Sequence, residues 1–88
     1  MADSTGNAAF IKAADEAKTL SYQPSNDELL ELYALFKQGT VGDNDTPRPG
    51  MFDIKGKAKW DAWTAKKGTT KEDAQQKYID LVEALKKK

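Results

Sequence analysis

Lysine and aromatic residues recur at helical spacing between positions 33 and 63. Tyr33 and Lys37 are one helical turn apart, and Lys55, Lys59 and Trp63 follow the same four-residue step. Residues four apart share a helix face, so each group presents cations beside aromatic rings. That combination suits a ligand that is both flat and anionic. The same residues are also common in small cores and on solvated helix faces, so spacing alone leaves their role open.

The side chains that most enzymes use for catalysis are missing. The chain has no histidine and no cysteine, so it lacks the commonest general base, the strongest nucleophile at neutral pH and most ligands for transition metals. Asp43, Asp45 and Asp53 lack the spacing and the closing glutamate of a calcium loop, and capping of a loop explains them better. We therefore expect a protein that is not an enzyme and that uses no metal or other cofactor.

Charge and motifs restrict how an anion could be bound. The sequence contains neither a GxxxxGK[ST] loop nor a GxGxxG motif after a strand, so phosphates would have to be held by lysine side chains. Basic and acidic residues balance at 14 each, which argues against nucleic-acid binding through a bulk positive field. Residues 1–44 carry three basic and seven acidic residues, whereas residues 45–88 carry 11 basic and seven acidic. An anion site should therefore depend on the second half.

Length and composition predict one small domain. With 88 residues the chain can form a modest core but not a second one, so residues 1–88 are expected to be a single unit. The sequence has no apolar run long enough for a membrane span and no recognisable signal sequence. We expect a cytoplasmic protein.

Apolar periodicity predicts two helices in the first half. A first helix carries the stripe Phe10, Ala13, Ala14, Ala17 and Leu20. Residues 1–7 before it are expected to fray. Ser25 followed by Glu28 has the spacing of a capping box and predicts the start of a second helix. This helix should end at the glycines of residues 39–42.

Two further helices are predicted in the second half, which gives an all-α fold of four helices. One begins near Ile54 and ends near Gly68, and the other begins after Thr69 or Thr70 and reaches the C-terminal lysines. Residues 41–53 have no periodicity and are rich in turn residues. Because this connection exceeds the usual length of about 4–6 residues, it should cross over the fold or border a site.

The ordered run of motifs is more specific than any of its parts. It consists of YxxxKQxTVGD from Tyr33, RPGMxD from Arg48, KGKAKWDAW from Lys55, the pair Lys67-Gly68 and the pair Tyr78-Ile79. This run resembles the acyl-CoA-binding protein family over nearly the whole chain. The family commonly has alanine at position 39 and often tyrosine at position 36, where this chain has Gly39 and Phe36. The resemblance implies a four-helix bundle with a long overhand loop between parallel helices 2 and 3.

The resemblance also implies a ligand, the thioester of a medium- or long-chain fatty acid with coenzyme A. The positions that match contacts with its nucleotide and phosphates are Lys18, Tyr33, Lys37, Lys55, Lys59 and Tyr78. Among them, Tyr33, Lys37 and Lys59 would hold the ribose 3′-phosphate, and Tyr33 with Tyr78 would border the adenine. The other two lysines match the remaining basic contacts with the nucleotide and the pyrophosphate.

Further positions are implied around the cleft and the acyl chain. Those that border the cleft or lie close to the acyl chain are Phe10, Ala13, Ala14, Leu30 and Met51. The turn of helix 2 that separates Tyr33 from Lys37 adds Ala34, Leu35 and Phe36 to the implied site.

The implied function is that of a monomeric carrier, which forms a pool of acyl-CoA and exchanges it with enzymes and membranes. Three other interpretations remain open. One is an adaptor that docks a partner helix in a groove lined by Leu29, Tyr33 and Trp63. The second is an enzyme that acts on acyl thioesters through serine, tyrosine or a carboxylate. The third is nucleic-acid binding through the lysines of residues 55–67, which the balanced net charge disfavours.

Overall fold

Four α-helices organise the computed structural model, which describes residues 7–88. They are α1 (Ala8–Ala17), α2 (Asn26–Thr40), α3 (Ile54–Thr64) and α4 (Lys71–Lys86). No β-strand occurs within residues 7–88, and the predicted all-α fold is confirmed. None of the helices in this range is long and apolar enough to cross a membrane. Of the residues predicted to fray, residues 1–6 lie outside the described part of the chain, whereas Asn7 is ordered and caps α1.

Each helix begins where a polar side chain accepts a hydrogen bond from the backbone N–H three residues later. The capping residues are Asn7, Ser25, Asp53 and Thr70. Ser25 forms the predicted capping box, because the carboxylate of Glu28 also accepts a hydrogen bond from the Ser25 backbone N–H at 2.8 Å. Such a cap stabilises a protein by about 0.5–2 kcal/mol, so these side chains fix where the helices start.

Two helices end earlier than the sequence predicted. The first, α1, ends at Ala17, and Leu20 lies beyond it while still packing against the core. Similarly, α3 ends at Thr64, and the chain reaches Gly68 through hydrogen bonds that span three residues instead of four. These tighter turns continue the apolar pattern for a few residues without continuing the α-helix.

The core lies between α1, α2 and α4. The helix α2 packs against both α4 and α3, and α1 packs against α4. The core cluster consists of Phe10, Ala13, Leu32, Leu35, Ala74, Tyr78, Val82 and Leu85. Within it, the rings of Phe10 and Tyr78 meet edge to face at 5.2 Å, and both rings also contact Phe36. Since α3 packs against α2 outside this cluster, its position depends on α2 and on the loop that joins them.

The connection from α2 to α3 is fixed by hydrogen bonds at its beginning. Gly42 has a φ of +98°, which favours glycine, and its carbonyl accepts from the indole N–H of Trp63 at 2.8 Å. The carboxylate of Asp43 accepts from the side chain of Gln38 at 2.8 Å and from the backbone N–H of Gly68 at 3.0 Å. The prediction that these aspartates cap the loop is therefore confirmed for Asp43.

The middle of the loop crosses over α3. Asn44 donates a hydrogen bond to the hydroxyl of Thr64 at 2.9 Å, and the indole of Trp60 donates to the carbonyl of Thr46 at 3.0 Å. Two points along the loop are thus tied to the face of α3 that they cross. Of the two possibilities that the sequence left open for residues 41–53, the loop crosses over the fold, and it is the overhand connection that the family resemblance implied.

Candidate ligand-binding site

A first cavity lies between α1, α2 and α4 and has a volume of about 690 Å³. Ala14 of α1 and Lys18, which directly follows α1, line it on one side, with Tyr33 and Phe36 from α2 and Tyr78 from α4. Because Ala14 is small, α1 packs on α4 without filling the space towards α2. Burial raises the pKa of the Tyr78 phenol, so this hydroxyl stays protonated at neutral pH and can donate a hydrogen bond.

The second cavity lies between α2 and α3 and has a volume of about 390 Å³. Leu30 of α2 provides an apolar wall, and Lys55 and Lys59 of α3 provide cations. Leu29 and Tyr33 line both cavities. The two cavities are therefore adjacent along α2, with the half-buried ring of Tyr33 at their boundary.

Two lysines each lie over an aromatic ring of the facing helix. The Nζ atom of Lys59 on α3 is 5.4 Å from the ring centroid of Tyr33 on α2, and that of Lys37 on α2 is 5.1 Å from the ring centroid of Trp63 on α3. An ammonium group within about 6 Å of a ring centroid is attracted by the electrons of the ring. Since the two residues on each helix are four apart, the two pairs lie one turn apart along the contact between α2 and α3.

The remaining predicted site residues are placed away from the cavity walls. Lys37, described above, lines neither cavity. The other predicted residues that line neither cavity are Phe10, Ala13, Ala34, Leu35 and Met51. The first four are buried, so they support the lining residues from behind. Met51 lies in the turn before α3 and is 72% exposed.

Several lining residues were not predicted from the sequence. Those outside the predicted ligand site are Ile11, Asp15, Ala17 and Leu32 in the first cavity, Asn26, Ile54 and Ala58 in the second, and Leu29, which lines both and was named only for the docking of a partner helix. Helical spacing carried a signal for some of them, because Leu29 precedes Tyr33 by one turn and Ile54 precedes Ala58 by one turn. This signal was not enough to assign them to the site, because spacing shows which residues share a helix face but not which faces of two helices pack together.

The site has the groups needed to hold an anionic, partly apolar ligand. Lys18 after α1 and the lysines of α3 border cavities whose other walls include leucine, alanine and aromatic side chains. In residues 7–88 there is no group of three or more His, Cys, Asp or Glu side chains that could hold a metal ion. The arrangement is suited to binding by charge, by contact with aromatic rings and by burial of apolar surface.

Comparison with known proteins identifies the family. The sequence profile described as "Acyl CoA binding protein" matches residues 7–82. The chain belongs to the acyl-CoA-binding protein family. It is 68% identical over 77 residues to acyl-CoA-binding protein homolog 1 of Caenorhabditis elegans, which covers 88% of this chain and 90% of the relative. It is 59% identical over 76 residues to the acyl-CoA-binding protein homolog of Drosophila melanogaster, and this match covers 86% of this chain and 88% of the relative.

A solved structure extends this agreement to the backbone. The crystal structure of acyl-CoA-binding protein 2 from Oryza sativa superposes with a TM-score of 0.84 at 48% sequence identity, covering 88% of this chain and 86% of that one. Both the resemblance noted in the sequence and the predicted fold of the acyl-CoA-binding protein family are confirmed.

Proposed function

We infer that this protein binds thioesters of medium- and long-chain fatty acids with coenzyme A. The observation that carries this proposal is the position of Tyr33, whose ring borders both cavities and lies beneath the ammonium of Lys59. Coenzyme A esters carry an adenine, a pyrophosphate and a 3′-phosphate at one end and a hydrocarbon chain at the other. The ring of Tyr33 and the cation of Lys59 suit the nucleotide end, and the apolar walls of the adjoining cavities suit the hydrocarbon end.

The nucleotide end is matched by lysines from three parts of the chain. Lys18 directly follows α1, Lys37 lies in α2, and Lys55 and Lys59 lie in α3. Each charge-assisted hydrogen bond to a phosphate contributes on the order of 1.5–3 kcal/mol net. A phosphate monoester requires concentrated charge more than a planar donor, so lysine serves as well as arginine at this end. Two or three such bonds are enough to anchor the head of the ligand.

The acyl chain is matched by apolar walls. Leu30, Ile54 and Ala58 line the second cavity, and Phe36 and Tyr78 line the first. Burial of a methylene group contributes about 0.8 kcal/mol, so affinity should rise about fourfold for each methylene until the space is filled. About ten buried methylenes would equal the whole contribution of the head group.

Reversible binding without chemistry is the activity that these residues favour. The chain has no histidine and no cysteine to attack a thioester. We therefore infer a monomeric cytoplasmic carrier that forms a pool of acyl-CoA and passes it between enzymes and membranes. Incubation with a labelled ester should return the ester intact, whereas release of free coenzyme A would indicate an enzyme.

A titration followed by tryptophan fluorescence tests the binding proposal. Trp63 lies beneath Lys37, so a ligand at that lysine should change the emission. Palmitoyl-CoA should bind more tightly than either palmitate or free coenzyme A, because only the ester carries both ends. If palmitate binds as well as palmitoyl-CoA, the head group contributes nothing and the proposal fails. A helical adaptor would give no response to any of the three.

A further inference from the structure

Three large apolar side chains are exposed within four residues at the start of α3. Met51 is 72%, Phe52 94% and Ile54 75% exposed. Met51 and Phe52 lie in the turn before the helix, and Ile54 is its first residue. Apolar residues scattered singly on a surface are normal, whereas a contiguous group indicates a contact surface. We call these three residues the apolar tip.

The apolar tip is continuous with the second cavity. Ile54 belongs to both, and it lines the cavity together with Leu29, which is itself 44% exposed. Ile54 therefore gives the space between α2 and α3 an apolar path out to the exposed segment of residues 51–54. A hydrocarbon chain that enters or leaves along this path remains in contact with apolar groups.

Positive charge flanks the apolar tip. Lys55, Lys57 and Lys59 follow it on α3. Asp53 is the one acidic residue between positions 51 and 60, and its carboxylate accepts a hydrogen bond from the Gly56 backbone N–H at 2.9 Å. Large apolar side chains beside several lysines are the combination that binds the interface of a bilayer with anionic lipids.

We propose that the apolar tip docks this protein on the surface of a bilayer that contains anionic phospholipids. Phe52 enters the boundary between headgroups and acyl chains, the lysines of α3 contact the headgroups, and the second cavity opens towards the membrane. The purpose of this contact, transfer of an acyl chain without exposure to water, rests on the proposed function. The docking itself needs no acyl-CoA and can be measured separately.

Charge also favours a membrane over a second copy of the chain. Two copies that met tip to tip about a twofold axis would bring their lysines at positions 55, 57 and 59 together, and like charges repel. A bilayer with phosphatidylserine offers the opposite charge to the same lysines. The bound acyl chain is a third candidate for contact with the tip, but Phe52 is not among the residues that line either cavity.

Sedimentation with vesicles tests the proposal. The variant is Phe52→Ser, and the matched control is Val41→Ser, which removes a 53% exposed apolar side chain at the other end of the same loop. Ligand-free wild type should sediment with vesicles of phosphatidylserine and phosphatidylcholine more than with vesicles of phosphatidylcholine alone. Phe52→Ser should weaken this binding by about tenfold or more, since a whole buried ring is lost. Val41→Ser should bind as the wild type does.

Calorimetry and ultracentrifugation without vesicles separate the alternatives. If wild type and both variants bind palmitoyl-CoA with equal affinity, the loss of vesicle binding in Phe52→Ser is due to docking and not to a change in the ligand site. The docking proposal is overturned if wild type does not sediment with the anionic vesicles, or if Phe52→Ser binds them with the same affinity as wild type. It is also overturned if Phe52→Ser changes only palmitoyl-CoA affinity, or only the oligomeric state. Failure of all three proteins to bind palmitoyl-CoA would instead contradict the proposed function, while the vesicle data would still decide the docking.

Discussion

The ammonium of Lys59 lies 5.4 Å from the ring centroid of Tyr33, at the boundary between the two cavities. The two residues come from different helices and are brought together by the overhand loop. Because the cation is already placed on the ring before any ligand binds, little side-chain entropy remains to be lost when a phosphate arrives. The loop therefore matters to binding although none of its residues, 41–53, lines either cavity.

Lys59→Ala should weaken binding of palmitoyl-CoA by about ten- to a hundredfold, the equivalent of one charge-assisted hydrogen bond to phosphate. If Lys59 contacts the 3′-phosphate, the loss should be smaller for the dephospho form of the same ester. Isothermal titration calorimetry with both esters gives the comparison. Equal losses for the two ligands would move Lys59 away from the 3′-phosphate.

Lys77→Ala provides the control for charge. Lys77 is an exposed lysine on α4 that lines neither cavity. Its removal changes the net charge of the protein by the same amount as Lys59→Ala. It should leave both affinities within about twofold of wild type, since screening at physiological salt weakens charges at a distance.

Ala14→Leu tests whether the first cavity is occupied by the ligand. The larger side chain takes up space between α1 and α2, so it should weaken palmitoyl-CoA binding by about 1–3 kcal/mol, or about five- to a hundredfold. Titration calorimetry measures the affinity, and urea unfolding shows whether the fold is retained. Ala9→Leu, at an exposed position of the same helix, should leave affinity unchanged. Unchanged affinity in Ala14→Leu would place the ligand elsewhere.

The helix starts could be predicted from the sequence because their causes are local. Ser25 and Glu28 accept hydrogen bonds from each other's backbone N–H groups, and Thr70 accepts one from the Asp73 backbone N–H at the start of α4. The lysine and aromatic pattern of residues 33–63 was also visible as spacing. The sequence could not show which lysine contacts which ring, because the pairs of Lys37 with Trp63 and of Lys59 with Tyr33 depend on how α3 packs on α2.

Position 39 shows a packing effect that the sequence could not reveal. In a helix, glycine is less favourable than alanine by up to about 1 kcal/mol, so Gly39 by itself would only weaken the end of α2. In the structure it is buried, and a Cβ atom there would lie 3.1 Å from Cγ of Gln75 on α4. The Gln75 side chain donates to the Gly39 carbonyl at 2.8 Å and accepts from Asn7 at 2.9 Å. A glycine here thus permits a close contact between helices that are distant in sequence.

Stability should fall in acid partly because of Glu28. The Ser25 backbone N–H, followed by Lys88 and Tyr22, lowers the pKa of Glu28 from 4.5 to about 2. Because the folded-state pKa is the lower one, this contribution is fully present above about pH 4.5 and is lost as the pH falls towards 2. Urea unfolding of wild type at a series of pH values in this range should show a decreasing midpoint.

Glu28→Gln separates this effect from the other carboxylates. Glutamine can keep the capping hydrogen bond to Ser25, but it does not titrate. The variant should be less stable than wild type at pH 7 and should lose less stability between pH 4.5 and 2. Parallel pH profiles for the two proteins would show that other groups, such as Asp43, whose pKa is lowered by the Gly68 N–H, account for the acid response.

Gln38→Leu should destabilise the fold by about 1–3 kcal/mol, the net contribution of the two hydrogen bonds that the Gln38 side chain donates. The fully buried Gln38 side chain donates to Asp43 at 2.8 Å and to the carbonyl of Thr69 at 2.7 Å, so it joins the end of α2 to the segment before α4. Leucine fills a similar volume but makes neither bond. Gln76→Leu, which removes an exposed hydrogen bond to Asp80 within α4, should change the free energy of unfolding by less than about 0.5 kcal/mol. Urea denaturation of both variants measures the difference, and equal stabilities would contradict a structural role for Gln38.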